Sequence, residues 1–319
     1  MPPHAVGGGE LIPSIRLRSG GGGRGAGASA AGAVMVFISC YNCGSDRRSP
    51  FAEENGFHLM KCRDCGLLYV CPRPDDATLL SAHTYGAHGG EDAPVFTTGR
   101  FDESKLGAYQ RMLEDLYGHD FESARDKLWL DVGCGHGEFL VALRAFSRGR
   151  LRLRGLEPNI RKQESAASRG LDVSNFDLQA ASAEYDGISL LNVFAHLPNP
   201  PVFLRQVRAA LKSGGELLIE TGDTADLSPE EHYRPFYLPD HLSFASEKIV
   251  RGILERAGFR VAAVRKYAAF PFSESRAELL KEFVRWAVRR GASDFPALCA
   301  AYRRSRRYVT DMYLRAAAC

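Results

Sequence analysis

The sequence lacks any apolar run of the ~20 residues that a membrane-spanning helix requires, and no internal repeat is apparent. We therefore expect no membrane span and no repeat architecture. Neither sign of charge dominates, because 41 lysines and arginines stand against 38 aspartates and glutamates. With 319 residues, 45% of them hydrophobic and 25% charged, the chain is long enough for one α/β domain of ordinary size and small additions.

There are only eight cysteines, yet four of them form two C-x-x-C pairs, Cys40 with Cys43 and Cys62 with Cys65, separated by 18 residues. Two such pairs are typical of a structural zinc site, because each forms a turn that presents two thiolates to one tetrahedral ion. Disulfide bonds are the alternative interpretation. Nothing else in the sequence indicates an oxidising compartment, so we expect zinc and a cytoplasmic location.

The most informative motif is the run DVGCGHG at 131–137, between a predicted buried strand at 129–132 and a predicted helix at 138–146. Glycine allows positive φ in a tight turn and lets a ligand lie against bare backbone. Glu157, twenty positions after the last glycine of the run and followed by Pro158, ends the next predicted strand. A carboxylate there can accept both hydroxyls of a ribose. These features predict a nucleotide-like ligand, and the alternative is a purely structural turn.

The spacing departs from a dinucleotide fingerprint, because Glu138 occupies the position of the expected third glycine. The run instead resembles the first motif of the class I S-adenosylmethionine-dependent methyltransferases, in which an acidic residue two positions before the first glycine is usual, as Asp131 is here. The resemblance implies that Glu157 and Pro158 lie at the ribose of S-adenosylmethionine, and that Asp131 and the loop hold its methionine end. Carboxylates suit this cofactor because its sulfonium and ammonium groups are cationic. The loop residues implied are Gly133, Cys134, Gly135 and Gly137.

Downstream, apolar segments alternate with predicted helices in a βαβ rhythm. This rhythm predicts an α/β fold with a doubly wound, mostly parallel, Rossmann-like sheet. Asn192 follows the fourth strand of that sheet and is predicted to line the cofactor site. The resemblance to the methyltransferase class extends over about residues 101–270. The segments predicted as strands or helices are 185–193, 201–211, 216–220, 247–257 and 259–264.

Composition and motifs together predict five regions along the chain. They are a disordered Gly/Ala-rich leader (1–34), a zinc ribbon (35–80), a linker over the cofactor (81–100), the methyltransferase domain (101–272) and a basic helical extension (273–319). The leader has an alternative interpretation as a secretory or lipoprotein signal, and Met35 offers an alternative translation start. The ribbon resembles one that heads a bacterial group of methyltransferases, which includes sugar C-methyltransferases and enzymes of secondary metabolism.

The C-terminal extension is the most basic part of the chain, since Arg276 to Cys319 contains ten basic and four acidic residues. Its apolar residues, from Leu280 to Met312, recur at helical spacing. This spacing predicts two amphipathic helices with a solvated basic face. Nucleic-acid binding is the alternative interpretation of the same charge.

Three histidines and a tyrosine are candidates for proton transfer at the carboxyl ends of the strands. His196 follows the fourth strand, and His232, Tyr233 and His241 lie in a long aromatic segment, 222–245, which we predict to be an acceptor-binding lid. We therefore predict methyl transfer to a small-molecule acceptor: a metabolite, sugar or glycan precursor. The alternatives are an RNA or tRNA methyltransferase that binds nucleic acid through its ribbon and basic tail, and a non-catalytic zinc-ribbon scaffold.

Overall fold

The computed structural model describes residues 34–90, 94–118, 126–175, 178, 182–232, 234–268 and 310–319. Except for Val34, the predicted leader lies outside the described residues, and so do Tyr233 and most of the predicted C-terminal extension. Within the described ranges, every helix is too short or too polar to cross a bilayer.

The N-terminal part of the chain forms short strands, and the remainder alternates strands with helices. The N-terminal elements are β1 (Met35–Val36), β2 (Arg48–Glu54), β3 (Phe57–Cys62), β4 (Leu68–Val70), β5 (Arg73–Pro74), α1 (Asp76–Tyr85), β6 (Ala87–His88) and β7 (Val95–Phe96). The alternating elements are α2 (Ser104–Tyr117), β8 (Leu128–Val132), α3 (Glu138–Phe146), β9 (Arg152–Leu156), α4 (Ile160–Ala167), β10 (Val173–Ser174), β11 (Tyr185–Leu191), α5 (Pro200–Ala210), β12 (Leu211–Gly222), β13 (Ser243–Phe244), α6 (Glu247–Arg256), β14 (Phe259–Ala268) and β15 (Thr310–Ala318).

A seven-stranded sheet lies at the centre of the described structure, in the order β10-β9-β8-β11-β12-β15-β14. The neighbours from β10 to β12 are parallel, whereas β15 runs antiparallel between β12 and β14. This arrangement confirms the predicted mostly parallel α/β fold. The strand order reverses between β8 and β11, and open sheets of this kind bind ligands beyond the carboxyl ends of the strands at such a point.

Local sequence explains how the strands and helices next to this point form. Strands β8 and β11 are buried along almost their whole length, as near-continuous apolar runs predict. Helix α3 begins after Gly137, whose φ of 91° ends the glycine loop. Helix α5 begins after Asn199, whose side chain accepts a hydrogen bond from the backbone N–H of Val202, and Pro200 takes the first helical position.

The predicted C-terminal helix is wrong for the part of that segment that the structure describes. Thr310–Ala318 forms β15, in which Met312, Leu314 and Ala316 pack into one core while Tyr313 packs into another. This alternation is that of a strand. Thr310–Ala318 thus belongs to the central sheet, between β12 and β14.

The helical spacing misled because intrinsic helix propensity, even that of the alanines at 316–318, is a small preference that tertiary context overrides. In the sheet, β15 pairs along its whole length with β12 on one side and β14 on the other, and this tertiary context overrides local preference. Residues 269–309 of the predicted extension lie outside the described part of the chain.

The lid, residues 222–245, adds a strand to the ribbon. Strand β13 of the lid pairs antiparallel with β4, so that a four-stranded sheet forms in the order β13-β4-β3-β2. The ribbon also shares a hydrophobic core with the central sheet, since Leu59 and Leu67 belong to the same buried cluster as Leu130 and Ile219. Ribbon, lid and central sheet are therefore packed as one structure.

Candidate active site

The glycine loop lies between the carboxyl end of β8 and the start of α3, and two of its glycines are required by packing. A Cβ added to Gly133 would lie 2.5 Å from Val193 Cγ2, and one added to Gly137 would lie 2.2 Å from Leu171 Cδ1. Both residues also have positive φ, which disfavours any side chain. Glycine is therefore needed at 133 and 137, where the side chains of Val193 and Leu171 pack against the loop.

Gly135, the middle glycine, faces open space, because a Cβ there would meet only Glu138 Oε2 at 3.9 Å. Its N–H donates to Glu157 Oε2 at 2.8 Å, and Glu157 Oε1 accepts a second hydrogen bond of 2.8 Å from the N–H of Asn159. Glu157 is buried, and its carboxylate joins the loop to the end of β9. Each carboxylate oxygen keeps acceptor capacity for a ribose hydroxyl.

Asp131 lies at the end of β8, beneath the loop, and is only 2% exposed. It accepts a 2.6 Å hydrogen bond from Ser189 Oγ of β11. Burial, followed by the negative charges of Glu157 and Glu138, raises the pKa of Asp131 to about 7. The charges next to Asp131 are therefore negative, and a cationic ligand would stabilise the ionised form of Asp131.

These groups line a cavity of about 500 Å³, which we call the main cavity, and its volume is typical of a small-molecule site. The structure brings most of the predicted cofactor residues to its wall. They are Asp131, Gly133, Cys134, Gly135, Glu157, Pro158 and Asn192. Gly137 instead packs behind the loop.

The segment predicted as a linker forms another wall of the main cavity. Helix α1 contributes His83, and residues 97–100 also line the cavity. His136 of the glycine loop places its Nε2 2.8 Å from the carbonyl oxygen of Thr98. This contact joins the segment directly to the loop.

Side chains of the ribbon position the lid. The Glu54 carboxylate accepts hydrogen bonds from the backbone N–H groups of Phe236 and Leu238, at 2.8 and 3.1 Å. Asn55 Nδ2 donates to the carbonyl oxygen of Leu238 at 3.1 Å. Because the bonds are made to lid backbone, the path of the lid depends on a folded ribbon.

His196 and Asp240 meet at the edge of the main cavity, which both residues line. His196 Nδ1 lies 3.0 Å from the backbone oxygen of Asp240 and 3.1 Å from its Oδ1. A carbonyl oxygen only accepts, so Nδ1 carries the proton and the neutral ring has its lone pair on Nε2. Burial alone would lower the pKa of His196, but the Asp240 carboxylate outweighs it and the net shift is upward.

The two predicted lid histidines occupy different surroundings. His241 packs against His196 with ring centroids 4.8 Å apart, and burial lowers its pKa to about 4. His232 is 3% exposed and lies among Phe51, Phe236 and Phe244, with ring centroids 5.3 to 5.8 Å away. Both histidines line a second, smaller cavity beneath the lid. His232 thus packs lid against ribbon, and Tyr233 lies outside the described residues.

The second cavity has a volume of about 160 Å³ and contains two carboxyl groups, Glu220 of β12 and Asp311 of β15. Burial raises the pKa of both groups, and for Glu220 the neighbouring Asp311 is the next cause. Sequence reasoning missed this pair because Asp311 lay on a predicted helix. Asn192 lines both cavities, so it separates the cofactor side from the lid side.

Among the polar residues that were not predicted, His83 on α1 and Asp240 in the lid line the main cavity, and His88 on β6 contacts Asp240. Asp240 precedes the candidate His241 in sequence, which is the one local signal that points to it. His83 and His88 come from a segment with no motif, and only the fold brings them to Asp240.

The four ribbon cysteines fit a zinc ion. Cys40 Sγ lies 3.5 Å from Cys65 Sγ, and Cys43 Sγ lies 3.6 Å from Cys62 Sγ. Four sulfurs ~2.3 Å from a tetrahedral zinc would be about 3.8 Å apart, whereas a disulfide needs ~2.05 Å. The two pairs also form matching turns, in which the N–H groups four residues after Cys40 and Cys62 donate back to their carbonyl oxygens. Four thiolates close the coordination sphere, so zinc here is structural.

Residues 107–264 match the family described as Methyltransferase domain. Among curated proteins, a tRNA U34 carboxymethyltransferase of Colwellia psychrerythraea is 32% identical over 151 residues, which cover 42% of this chain and 44% of that protein. A protein of the same description from Campylobacter fetus is 26% identical over 171 residues, 49% of this chain and 59% of that one. The chain thus spans about half the length of these two relatives.

Among solved structures, geranyl diphosphate C-methyltransferase of Streptomyces coelicolor, in complex with Mg²⁺, geranyl diphosphate and S-adenosyl-L-homocysteine, is 13% identical with a TM-score of 0.47, covering 67% of this chain and 80% of that one. This likeness is too distant to bear on the substrate. The family match, in contrast, coincides with the glycine loop and with strands β8 to β12. Residues 107–264 therefore form a methyltransferase domain of the S-adenosylmethionine-dependent class.

Proposed function

We propose that this protein transfers a methyl group from S-adenosylmethionine in the main cavity to a small-molecule acceptor at the lid, with His196 as the general base. The observation that carries the proposal is the pairing of His196 with Asp240. Asp240 fixes the proton on Nδ1, so Nε2 is the free basic atom of a residue that shares the cavity with the glycine loop. A base at this place suits an acceptor that loses a proton, such as a hydroxyl group or an activated carbon.

The cofactor roles follow from the walls of the main cavity. Bound S-adenosylmethionine supplies an activated methyl group. Glu157 is placed to accept the ribose hydroxyls while it holds Gly135, and Asp131 offers a negative charge to the methionine end. Pro158, Asn192 and Cys134 provide the remaining contacts of the cavity wall.

Catalysis by these residues consists mainly of alignment. Positioning two reactants in line supplies about 7–11 kcal/mol of the barrier, while a general base typically adds ~10²–10⁴-fold in rate. When the methyl group leaves the sulfonium for the acceptor, the acceptor proton would pass to His196 Nε2, and the Asp240 carboxylate would stabilise the resulting imidazolium. The lid and the linker segment exclude water from the transfer.

Gly135→Val is expected to weaken binding of S-adenosylhomocysteine by at least about 100-fold, or more than about 2.7 kcal/mol. Gly135 has a φ of 58°, so a valine there also strains the loop, but we expect the protein to stay folded because the side chain meets no packed atom. The isopropyl group would enter the cavity, because nothing else occupies that space. Calorimetric titration measures the affinity and circular dichroism the fold. Gly137→Val is the matched comparison, since it carries the same strain of positive φ and its side chain would also clash with Leu171, so it should lower the melting temperature further. Equal affinity of Gly135→Val and wild type would remove the loop from the site.

Binding of S-adenosylhomocysteine is expected to be tighter at pH 8 than at pH 6. Below its pKa of about 7, free Asp131 is protonated and has to lose its proton to pair with the ligand ammonium group. Each pH unit below that value therefore weakens binding by up to about tenfold. Titrations at both pH values, in buffers of different ionisation enthalpy, measure the affinity and the proton released. Asp131→Asn should bind weakly without this pH dependence, and a flat wild-type profile contradicts the assignment.

A tRNA acceptor is the second candidate, and the curated relatives support it. Two proteins named tRNA U34 carboxymethyltransferase align with this chain over parts of both sequences. The lid and ribbon support the small molecule, because their backbone hydrogen bonds hold the lid, and with it Asp240, at the edge of the main cavity beside His196.

One assay separates the two candidates. The protein is incubated with methyl-labelled S-adenosylmethionine and a bacterial extract that has been divided into a small-metabolite fraction and purified bulk tRNA. We expect label in the metabolite fraction with wild type and none with Gly135→Val. Label in tRNA alone would replace the small-molecule acceptor by RNA, and label in neither fraction would favour the non-catalytic scaffold.

A further inference from the structure

We infer that His83, His88 and Asp240 form a second metal site, distinct from the four cysteines, for a divalent transition-metal ion at the acceptor side of the main cavity. The three residues come from α1, β6 and the lid. Their ligand atoms, two imidazole nitrogens and a carboxylate oxygen, all lie within 4.8 Å of one another.

The separations suit one shared ion. His88 Nε2 lies 3.0 Å from Asp240 Oδ1. Two ligand atoms at this separation, each ~2.1 Å from an ion, subtend an angle of about 90° at the ion, as in octahedral coordination. The largest separation that one ion bridges is about 4.2 Å, twice the metal–ligand distance, so the third ligand needs to move by less than about 1 Å.

His88 is the residue that most needs such a partner. It is 1% exposed, and neither of its ring nitrogens makes an aligned hydrogen bond with any described residue. Its Nε2 is close to Asp240 Oδ1 but is not aimed at it. A short contact without alignment is what two ligands of one ion show, because each is directed at the ion. Without an ion, only this unaligned contact with Asp240 would compensate the buried imidazole for its lost hydrogen bonds to water.

Neighbouring groups support the arrangement as outer contacts. His196 donates its Nδ1–H to Asp240 Oδ1 at 3.1 Å. Carboxylates that bind a metal usually accept such a hydrogen bond, which fixes their orientation. Asn159 Nδ2 donates to the backbone oxygen of His83 at 3.2 Å and so holds the end of α1 beside the glycine loop. His196 keeps its free Nε2 for the acceptor.

Two imidazoles and one carboxylate leave coordination positions open, a donor set that suits Fe²⁺, Mn²⁺, Co²⁺ or Zn²⁺. His83 and Asp240 both line the main cavity, so these positions face the space where the acceptor is expected. An acceptor oxygen bound there would lose its proton more readily, since a bound cation stabilises the anion. This step rests on the proposed function and gives the acceptor class as molecules with a hydroxyl or enol oxygen able to bind a metal.

The test is the zinc content of the full-length, tag-free protein after incubation with excess Zn²⁺ and removal of unbound ion. Zinc is the probe because it binds nitrogen and oxygen ligands more tightly than manganese or iron(II) does. We expect two zinc ions per chain in wild type and one in His88→Ala and His83→Ala. His83 is only half-buried on α1, so its variant serves if His88→Ala fails to fold. The control His58→Ala, which removes an exposed imidazole of β3, should keep two.

X-ray absorption at the zinc edge gives a second measurement on the same samples. Wild type should show sulfur together with nitrogen and oxygen neighbours, and His83→Ala sulfur alone. One zinc per wild-type chain, or two in both His variants, would overturn the second site. Calorimetry with S-adenosylhomocysteine separates this result from the proposed function. If the protein binds S-adenosylhomocysteine but holds only one zinc ion, the second metal site fails and the cofactor site stands. If it holds two zinc ions but does not bind S-adenosylhomocysteine, the proposed function fails and the metal site stands.

Discussion

Cys43→Ser is expected to release the zinc ion, unfold the ribbon and free the lid, while the central sheet stays folded. Cys43 is exposed, so its replacement removes a metal ligand with little loss of packing. A structural zinc contributes on the order of 10 kcal/mol to the folding of a small module, and we expect the ribbon's contacts with the shared core, such as those of Leu59 and Leu67, not to offset that loss. Strand β13 and the backbone of Phe236 and Leu238 would then lose their partners.

Amide hydrogen exchange and metal analysis test this result together. Exchange should accelerate in the ribbon and in the lid, whereas β8 and β11 keep their protection. Cys71→Ser is the control, because Cys71 is a buried thiol of the ribbon outside the four-cysteine cluster. A Cys43→Ser protein that loses its ribbon zinc to a chelator and still exchanges like wild type in the lid would show that metal and lid are not linked.

His196→Gln is expected to slow methyl transfer by about 10²–10⁴-fold, the usual contribution of a general base, and to leave the affinity for S-adenosylhomocysteine unchanged. Glutamine retains an N–H group that can donate to Asp240, so the loop after β11 keeps its anchor. It lacks a nitrogen that accepts a proton. The loss should therefore be confined to turnover.

Initial rates of label transfer to the acceptor-containing fraction measure the effect, and calorimetry measures cofactor binding. The exposed His58 provides the matched control, since His58→Gln makes the same chemical change at a residue that lines neither cavity. Turnover by His196→Gln at the wild-type rate would exclude His196 as the base and leave His241 as the remaining described candidate beside it.

The parts of the molecule that depend on neighbours in sequence were predictable. The buried run before the glycines, the positive φ of the loop and the proline after Asn199 all act within a few residues. They predict the strands and helices around the cofactor cavity closely. The two C-x-x-C pairs likewise carry their chemistry in their spacing, because each pair closes its own turn.

The parts that depend on distant segments were not predictable in the same way. Thr310–Ala318 is a strand because it pairs with both β12 and β14, and no local sequence pattern reveals this pairing. No sequence motif surrounds His88, and it becomes a candidate ligand only because the lid brings Asp240 close to it.

The loop glycines show the same limit on a smaller scale. Spacing alone treats Gly133, Gly135 and Gly137 alike. The structure distinguishes them. Val193 packs against Gly133 and Leu171 against Gly137, while Gly135 lines the main cavity. This difference decides which glycine a binding experiment should replace.

A crystal soaked with S-adenosylhomocysteine tests most directly the central claim that the main cavity is the cofactor site. We predict one ligand per chain, with its ribose hydroxyls on Glu157 and its sulfur beside the loop at 133–137. An empty main cavity at saturating ligand, or a ligand bound elsewhere on the chain, would contradict it.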